Sequence, residues 1–160
     1  MKKVLLVFAL LLIVAGAMYF TQNYLTGGGS LSLFKKTPTV TIAGHSFRVI
    51  AAASQQEREI GLSETKELQQ DQGMIFLFDK PDYYSFWMKN MKFPIDIIYI
   101  KTDTIVEIKN NAQPPKDNKE SPIIYTPVGP SDKVLEIQAG LSEKYKFKNG
   151  DKVKYENLGN

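Results

Sequence analysis

The chain opens with its longest apolar run. Val4 to Phe20 carries no charge, Lys2 and Lys3 precede it, and Thr21-Gln22-Asn23 ends it. A positive start followed by an apolar stretch is the pattern of an export signal, and Ala15-Gly16-Ala17 fits a small-x-small cleavage site. Left uncleaved, the same run is a short membrane span with the lysines on the cytoplasmic side. Residues 1–22 are therefore expected to be a signal peptide or N-terminal membrane anchor, with the membrane as partner. Residues 23–37, with Thr26-Gly27-Gly28-Gly29-Ser30, have the composition of a flexible linker. The remaining globular domain, residues 38–157, is then expected in the cell envelope, secreted or membrane-anchored, outside the cytoplasm.

From Pro38 onward the pattern changes to short strands. Thr39-Val40-Thr41-Ile42 and Ser46-Phe47-Arg48-Val49-Ile50 alternate about Ala43-Gly44-His45, which predicts a hairpin. Ser54-Gln55-Gln56-Glu57 is a capping box and predicts a short helix over about Gln55 to Gly61. Gly73 to Phe78 is a continuous apolar run short enough for a buried strand, closed by Asp79-Lys80-Pro81-Asp82. Ile105 to Lys109, Ile123 to Tyr125, Val134 to Ile137 and Lys152 to Tyr155 read as further strands, and Leu141 to Phe147 as a short helix. The fold class expected is mainly β (α+β): an antiparallel β-sandwich or barrel-like domain with one or two short helices.

The stretch from Tyr84 to Ile100 departs from simple alternation. It contains the only Trp, Trp87, then Lys89-Asn90, Pro94, and Asp96 inside a second apolar run. Strand periodicity puts Ser85, Trp87 and Lys89 on one face and Asp96, Ile98 and Ile100 on one face of the next strand. Pairing Lys89 across from Asp96 aligns the charges near the turn and the apolar residues beyond it; a one-residue slip separates them. In a structural role the pair only neutralises itself at the end of the core. In a functional role Trp87, Lys89, Asn90 and Asp96 form the polar floor of a pocket with a ring-binding wall. Arg58, on the short helix, can turn inward toward Asp96 or Glu136.

Composition narrows the chemistry. The chain has no Cys, which removes a lipid-attachment thiol, a thiol nucleophile and thiolate metal ligands. The net charge of +3 owes most to Lys2 and Lys3; the rest of the chain has 18 basic against 17 acidic residues, no footprint for nucleic acid. His45 is the only His and sits at a predicted turn, so neither a metal set nor a Ser-His-Asp triad assembles readily around it. No metal and no cofactor is expected.

Taken in order, Arg58-x-x-Gly61-Leu62, Gly73-Met74-Ile75-Phe76-x-Phe78, Phe86-Trp87-Met88-Lys89-Asn90-x-x-x-Pro94-Ile95-Asp96-Ile97, Val134-Leu135-Glu136-x-x-Ala139-Gly140 and Gly150-Asp151-Lys152-Val153 resemble domain-of-unknown-function family 192. The resemblance spans about Pro38 to Tyr155. It implies a compact, mainly β domain, exported or membrane-anchored, with no established reaction. Ser63 and Thr65 stand where the family tends to carry Met and Arg, and Met91 where Thr commonly follows the Lys-Asn pair.

With no recognisable nucleophile, the leading expectation is a non-catalytic domain that binds a small ligand, glycan or protein partner through Trp87, Lys89, Asn90 and Asp96, with Arg58 and Glu136 as further candidates. The alternatives are a hydrolase or lyase acting on an envelope polymer through Asp96 and Glu136, and a purely structural domain.

Overall fold

The computed structural model describes residues 37–116, 121 and 123–158. The expected leader at 1–22 and the linker at 23–37, except Thr37, lie outside the described residues. Among the described residues no helix is long and apolar enough to cross a membrane.

Among the described residues nine strands and two short helices follow one another: β1 (Thr39–Ile42), β2 (His45–Ala52), α1 (Gln55–Ile60), β3 (Gln72–Asp82), β4 (Phe86–Trp87), β5 (Ile95–Lys101), β6 (Thr104–Ala112), β7 (Ile124–Tyr125), β8 (Ser131–Gln138), α2 (Leu141–Lys144) and β9 (Val153–Glu156). Seven strands form one sheet in the order β6-β5-β8-β3-β2-β1-β9, and β4 pairs with β7 in a small second ladder. The sheet is mixed rather than antiparallel, because β2 and β3 run parallel, Val49 opposite Gly73 and Ala51 opposite Ile75. A parallel pair requires a crossover, and α1 with the loop that follows it supplies one. The capping box forms as expected: Glu57 N–H donates to Ser54 Oγ at 3.2 Å while the Glu57 carboxyl accepts from Ser54 N–H at 2.8 Å. Gly61 then ends α1 at φ +50°, a conformation that suits glycine.

The sheet curls until its two edges touch at one end. Thr104 bridges to Lys152, Gly150 N–H donates to Ile105 C=O at 2.8 Å, and Val153 N–H donates to Asp103 C=O at 2.8 Å. The result is a half-barrel. Within the curl one core gathers Ile42, Phe47, Ile75, Ile98, Leu135 and Ile137. The opposite face of the central strands carries a second core of Met74, Phe76, Ile97, Tyr99 and Val134, covered by Leu62, Leu68 and Met88 from the connecting segments. Because β5 is apolar on both faces, Ile95 through Ile100 are all buried.

Strand β3 approaches β8 unusually closely at Gly73, where a Cβ would lie 2.7 Å from the carbonyl oxygen of Glu136. That obstacle is backbone and cannot swing aside. Gly73→Ala is expected to push β3 from β8 and to cost about 1–3 kcal/mol, read as a lower melting temperature.

The sequence-predicted hairpin does not form. Both hydrogen-bonding edges of β5 are taken, by β6 and by β8, and β4 lasts two residues before pairing with β7, Phe86 opposite Tyr125 and Trp87 opposite Ile124. Lys89 and Asp96 are therefore not partners.

Candidate functional site

Asp96 sits opposite Ile137 on β8, on the face within the curl, and is wholly buried. Its carboxyl accepts backbone N–H groups from Asn111 at 2.8 Å, Gly140 at 3.1 Å and Ser142 at 2.8 Å. The first is turned inward where β6 carries an extra residue relative to β5, between the pairs Ile95–Ala112 and Ile97–Lys109. The other two belong to the start of α2, whose N-cap, Gly140, has no side chain to do the work. Asp96 thus ties a strand irregularity to a helix start, and every contact it makes is internal.

Glu136 is the neighbour of Ile97 on β5 and of Met74 on β3, so it projects from the opposite face. It is only 5% exposed, yet among the described residues no hydrogen-bond or ion-pair partner holds its carboxyl. Burial among apolar side chains disfavours its charged form and pushes its pKa from 4.5 up to about 8. Asp96 and Glu136, separated by the sheet, cannot act together on one bond, which removes the carboxylate pair expected of a hydrolase built on them.

Glu136 lines a cleft of about 260 Å³ between α1, β3, β8 and the Tyr84–Met91 segment. Phe76, Phe78, Tyr84, Phe86 and Trp87 form most of its walls. Tyr84 stacks on Phe78 with centroids 3.6 Å apart, and Phe86 meets Phe76 edge to face at 4.9 Å. Trp87 stands at the mouth, 54% exposed, with the Lys89 ammonium 5.4 Å from its ring centroid.

Arg58 reaches the cleft from the last turn of α1. Its Nη1 donates to the carbonyls of Ala53 and Leu77, the latter at 3.0 Å, and its guanidinium lies 5.1 Å from the Phe78 centroid. Glu59 also lines the cleft, accepting from the Gln55 amide at 2.8 Å.

Four of the six sequence-predicted residues therefore meet in one place: Trp87, Lys89, Arg58 and Glu136. Asn90 is exposed beside them at φ +61°, shaping the turn that sends Met88 into the core, and it does not line the cleft. Asp96 is elsewhere. Sequence reasoning missed the wall formed by Phe76, Phe78 and Tyr84. The signal was present, since half of residues 76–87 are aromatic. His45, on β2, stacks on Tyr145 at 3.8 Å. Among the described residues no group of His, Asp and Glu is placed to hold a metal ion.

Residues 38–155 match the model of the family DUF192, described as "Uncharacterized ACR". A solved protein of unknown function from Novosphingobium aromaticivorans is similar, with 40% identity over 72% of this chain and 83% of that one, and a TM-score of 0.64. A second, from Sinorhizobium meliloti, is named conjecturally as a transcription regulator; it is 29% identical over 76% of this chain and 95% of that one, with a TM-score of 0.68. No curated protein matches the sequence.

Proposed function

Since the chain belongs to the DUF192 family, whose description carries no reaction, we propose from the site itself that it is a small-ligand-binding domain of the cell envelope. The ligand sits in the aromatic cleft, with Arg58 and Glu136 as its polar contacts and Trp87 with Lys89 at the mouth. The envelope location rests on the leader pattern of residues 1–22. One observation carries the binding assignment. Buried acids are normally satisfied, as Asp96 is by three N–H groups, whereas Glu136 keeps an unpartnered carboxyl at the bottom of an accessible cleft. A group held at that expense fits a binding role better than a structural one. The near-balanced charge beyond Lys3 gives no support to binding of nucleic acid.

The test uses the single tryptophan as a reporter. Thermal melting and Trp87 emission of the full chain would be followed against saccharides and peptidoglycan fragments, peptides, nucleotides, and small organic acids and amines. A ligand at ~100 times its Kd should add roughly 2.7 kcal/mol of stability and change the emission. Trp87→Ala should weaken that binding while melting close to the parent, because the ring is half exposed. Silence across the whole panel, or binding untouched by Trp87→Ala and by Glu136→Leu, would remove the assignment.

A further inference from the structure

The charges of the cleft narrow its ligand. Arg58 commits only Nη1 to the protein, leaving Nε and Nη2 without a partner among the described residues. That free edge is the two-donor edge that matches a carboxylate. The same edge of Arg48 shows the pairing within this molecule, with Nε and Nη2 donating to Asp71 Oδ2 at 3.1 and 2.7 Å. Lys89 likewise has no carboxyl partner among the described residues, its ammonium resting over the Trp87 ring. Two cations, neither hydrogen-bonded to a carboxylate among the described residues, thus flank an aromatic cleft.

The same two residues disfavour a cationic ligand. The Arg58 guanidinium lies over the Phe78 ring, on which Tyr84 also stacks, and Lys89 lies over the Trp87 ring, so a cationic ligand would meet a like charge at either ring. The acid at the closed end, Glu136, stays protonated at neutral pH and therefore does not repel an anion. It offers an O–H donor instead. Glu59, the other acid lining the cleft, is exposed and accepts from the neutral Gln55 amide. The modest volume suits one ring with a short substituent.

Resting on the cleft being a ligand site, we propose that it receives a flat, single-ring carboxylic acid. The acid's carboxylate lies on the Nε–Nη2 edge of Arg58 with Lys89 nearby. Its ring packs against Phe86 and Trp87, and a hydroxyl on the ring, where the acid has one, accepts from the Glu136 O–H.

The charged and titratable groups facing Glu136 are Arg58 and Glu59 from α1, Tyr84 and Lys89 from the Tyr84–Met91 segment and Tyr99 from β5. As pH rises past about 8, Glu136 ionises and opposes the ligand's carboxylate. Binding should weaken there in the parent, and Glu136→Gln, which keeps an N–H donor and cannot ionise, should bind with little change across that range.

The experiment titrates the full chain with benzoate, 4-hydroxybenzoate and phenylacetate, reading Trp87 emission and melting temperature, beside benzyl alcohol, benzylamine and phenyl phosphate. The acids should bind, benzyl alcohol at least about tenfold more weakly and benzylamine not at all. Arg58→Lys should weaken acid binding about tenfold by losing the paired donors. Because Arg58 also holds two backbone carbonyls, Lys89→Met serves as the variant that gives up no hydrogen bond or ion pair among the described residues, only its contact over the Trp87 ring, and it too should weaken binding. Benzyl alcohol or benzylamine binding as well as benzoate would overturn the acid and leave the cleft as a ligand site. Phenyl phosphate binding more tightly than every carboxylate would replace the carboxylate by a phosphate. Silence of all six overturns the ring acid, and the cleft assignment falls with it only if the saccharides, peptides and nucleotides are silent as well.

Discussion

Glu136→Gln is expected to stabilise the ligand-free protein, and increasingly so as pH rises. The folded-state pKa of Glu136 is raised from 4.5 to about 8, so folding favours its protonated form. The stability this group allows is fully present below pH 4.5, the unfolded value, and is lost progressively as pH climbs through about 8. Each unit between those limits costs about 1.4 kcal/mol at most. Glutamine has nearly the same shape and no charge to desolvate, so at pH 7.5 the gain should be about 2–4 kcal/mol, shrinking below about 1 kcal/mol near pH 5. Melting curves of parent and variant at several pH values measure it. Parallel curves with a constant offset would mean that Glu136 does not titrate in that window, and the picture of an unpartnered buried acid would be wrong.

Asp96→Ala is expected to have the opposite and larger effect. It strips the acceptor from the N–H groups of Asn111, Gly140 and Ser142, the last in a buried bond and the other two in partly buried ones, each a loss of up to about 1–3 kcal/mol. The sum is comparable to the whole stability of an ordinary domain, ~5–15 kcal/mol. The variant should be largely unfolded at 37 °C or melt far below the parent. Asp96→Asn keeps one acceptor oxygen but turns an NH₂ toward one of the donors, so it should fall between parent and alanine. Circular dichroism melts decide this. A well-folded Asp96→Ala would show that the bulge of β6 and the start of α2 are held by something else.

These two acids also mark what the sequence made legible. Local signals were reliable. The capping box at Ser54-Glu57 and the Ala43-Gly44 turn that sets Thr39 against Arg48 form where turn and cap chemistry place them, and the helix expected over Leu141 to Phe147 forms over its first turn, Leu141–Lys144. The mixed sheet was missed because the parallel step depends on a crossover, although the unbroken apolar run from Gly73 to Phe78 is what a strand buried on both faces looks like. The same property defeated the reading of β5. Alternation identifies a face only when one side is wet, and Ile95 to Ile100 has no wet side, so the inference that Asp96 shared a face with Lys89 had no footing. Trp87, Lys89, Arg58 and Glu136 were each legible as candidates. Their meeting place was not, since it is set by α1 folding back over β3 and β8, a long-range event.

The first strand of the sheet is completed by the last. Strand β1 has β2 on one side and β9 on the other, Thr39 opposite Glu156 and Ile42 opposite Val153. A chain emerging from its N-terminal side, whether from a ribosome or through a translocation channel, cannot finish this sheet until Val153–Glu156 is free. Until then β1 presents an unpaired edge, open to pairing with other chains. Such end-to-end closure carries the entropy of a long loop and belongs to the slower class of folding reactions. The half-barrel therefore acquires its final form only after Val153–Glu156 has emerged, and its most vulnerable interval precedes the docking of that strand.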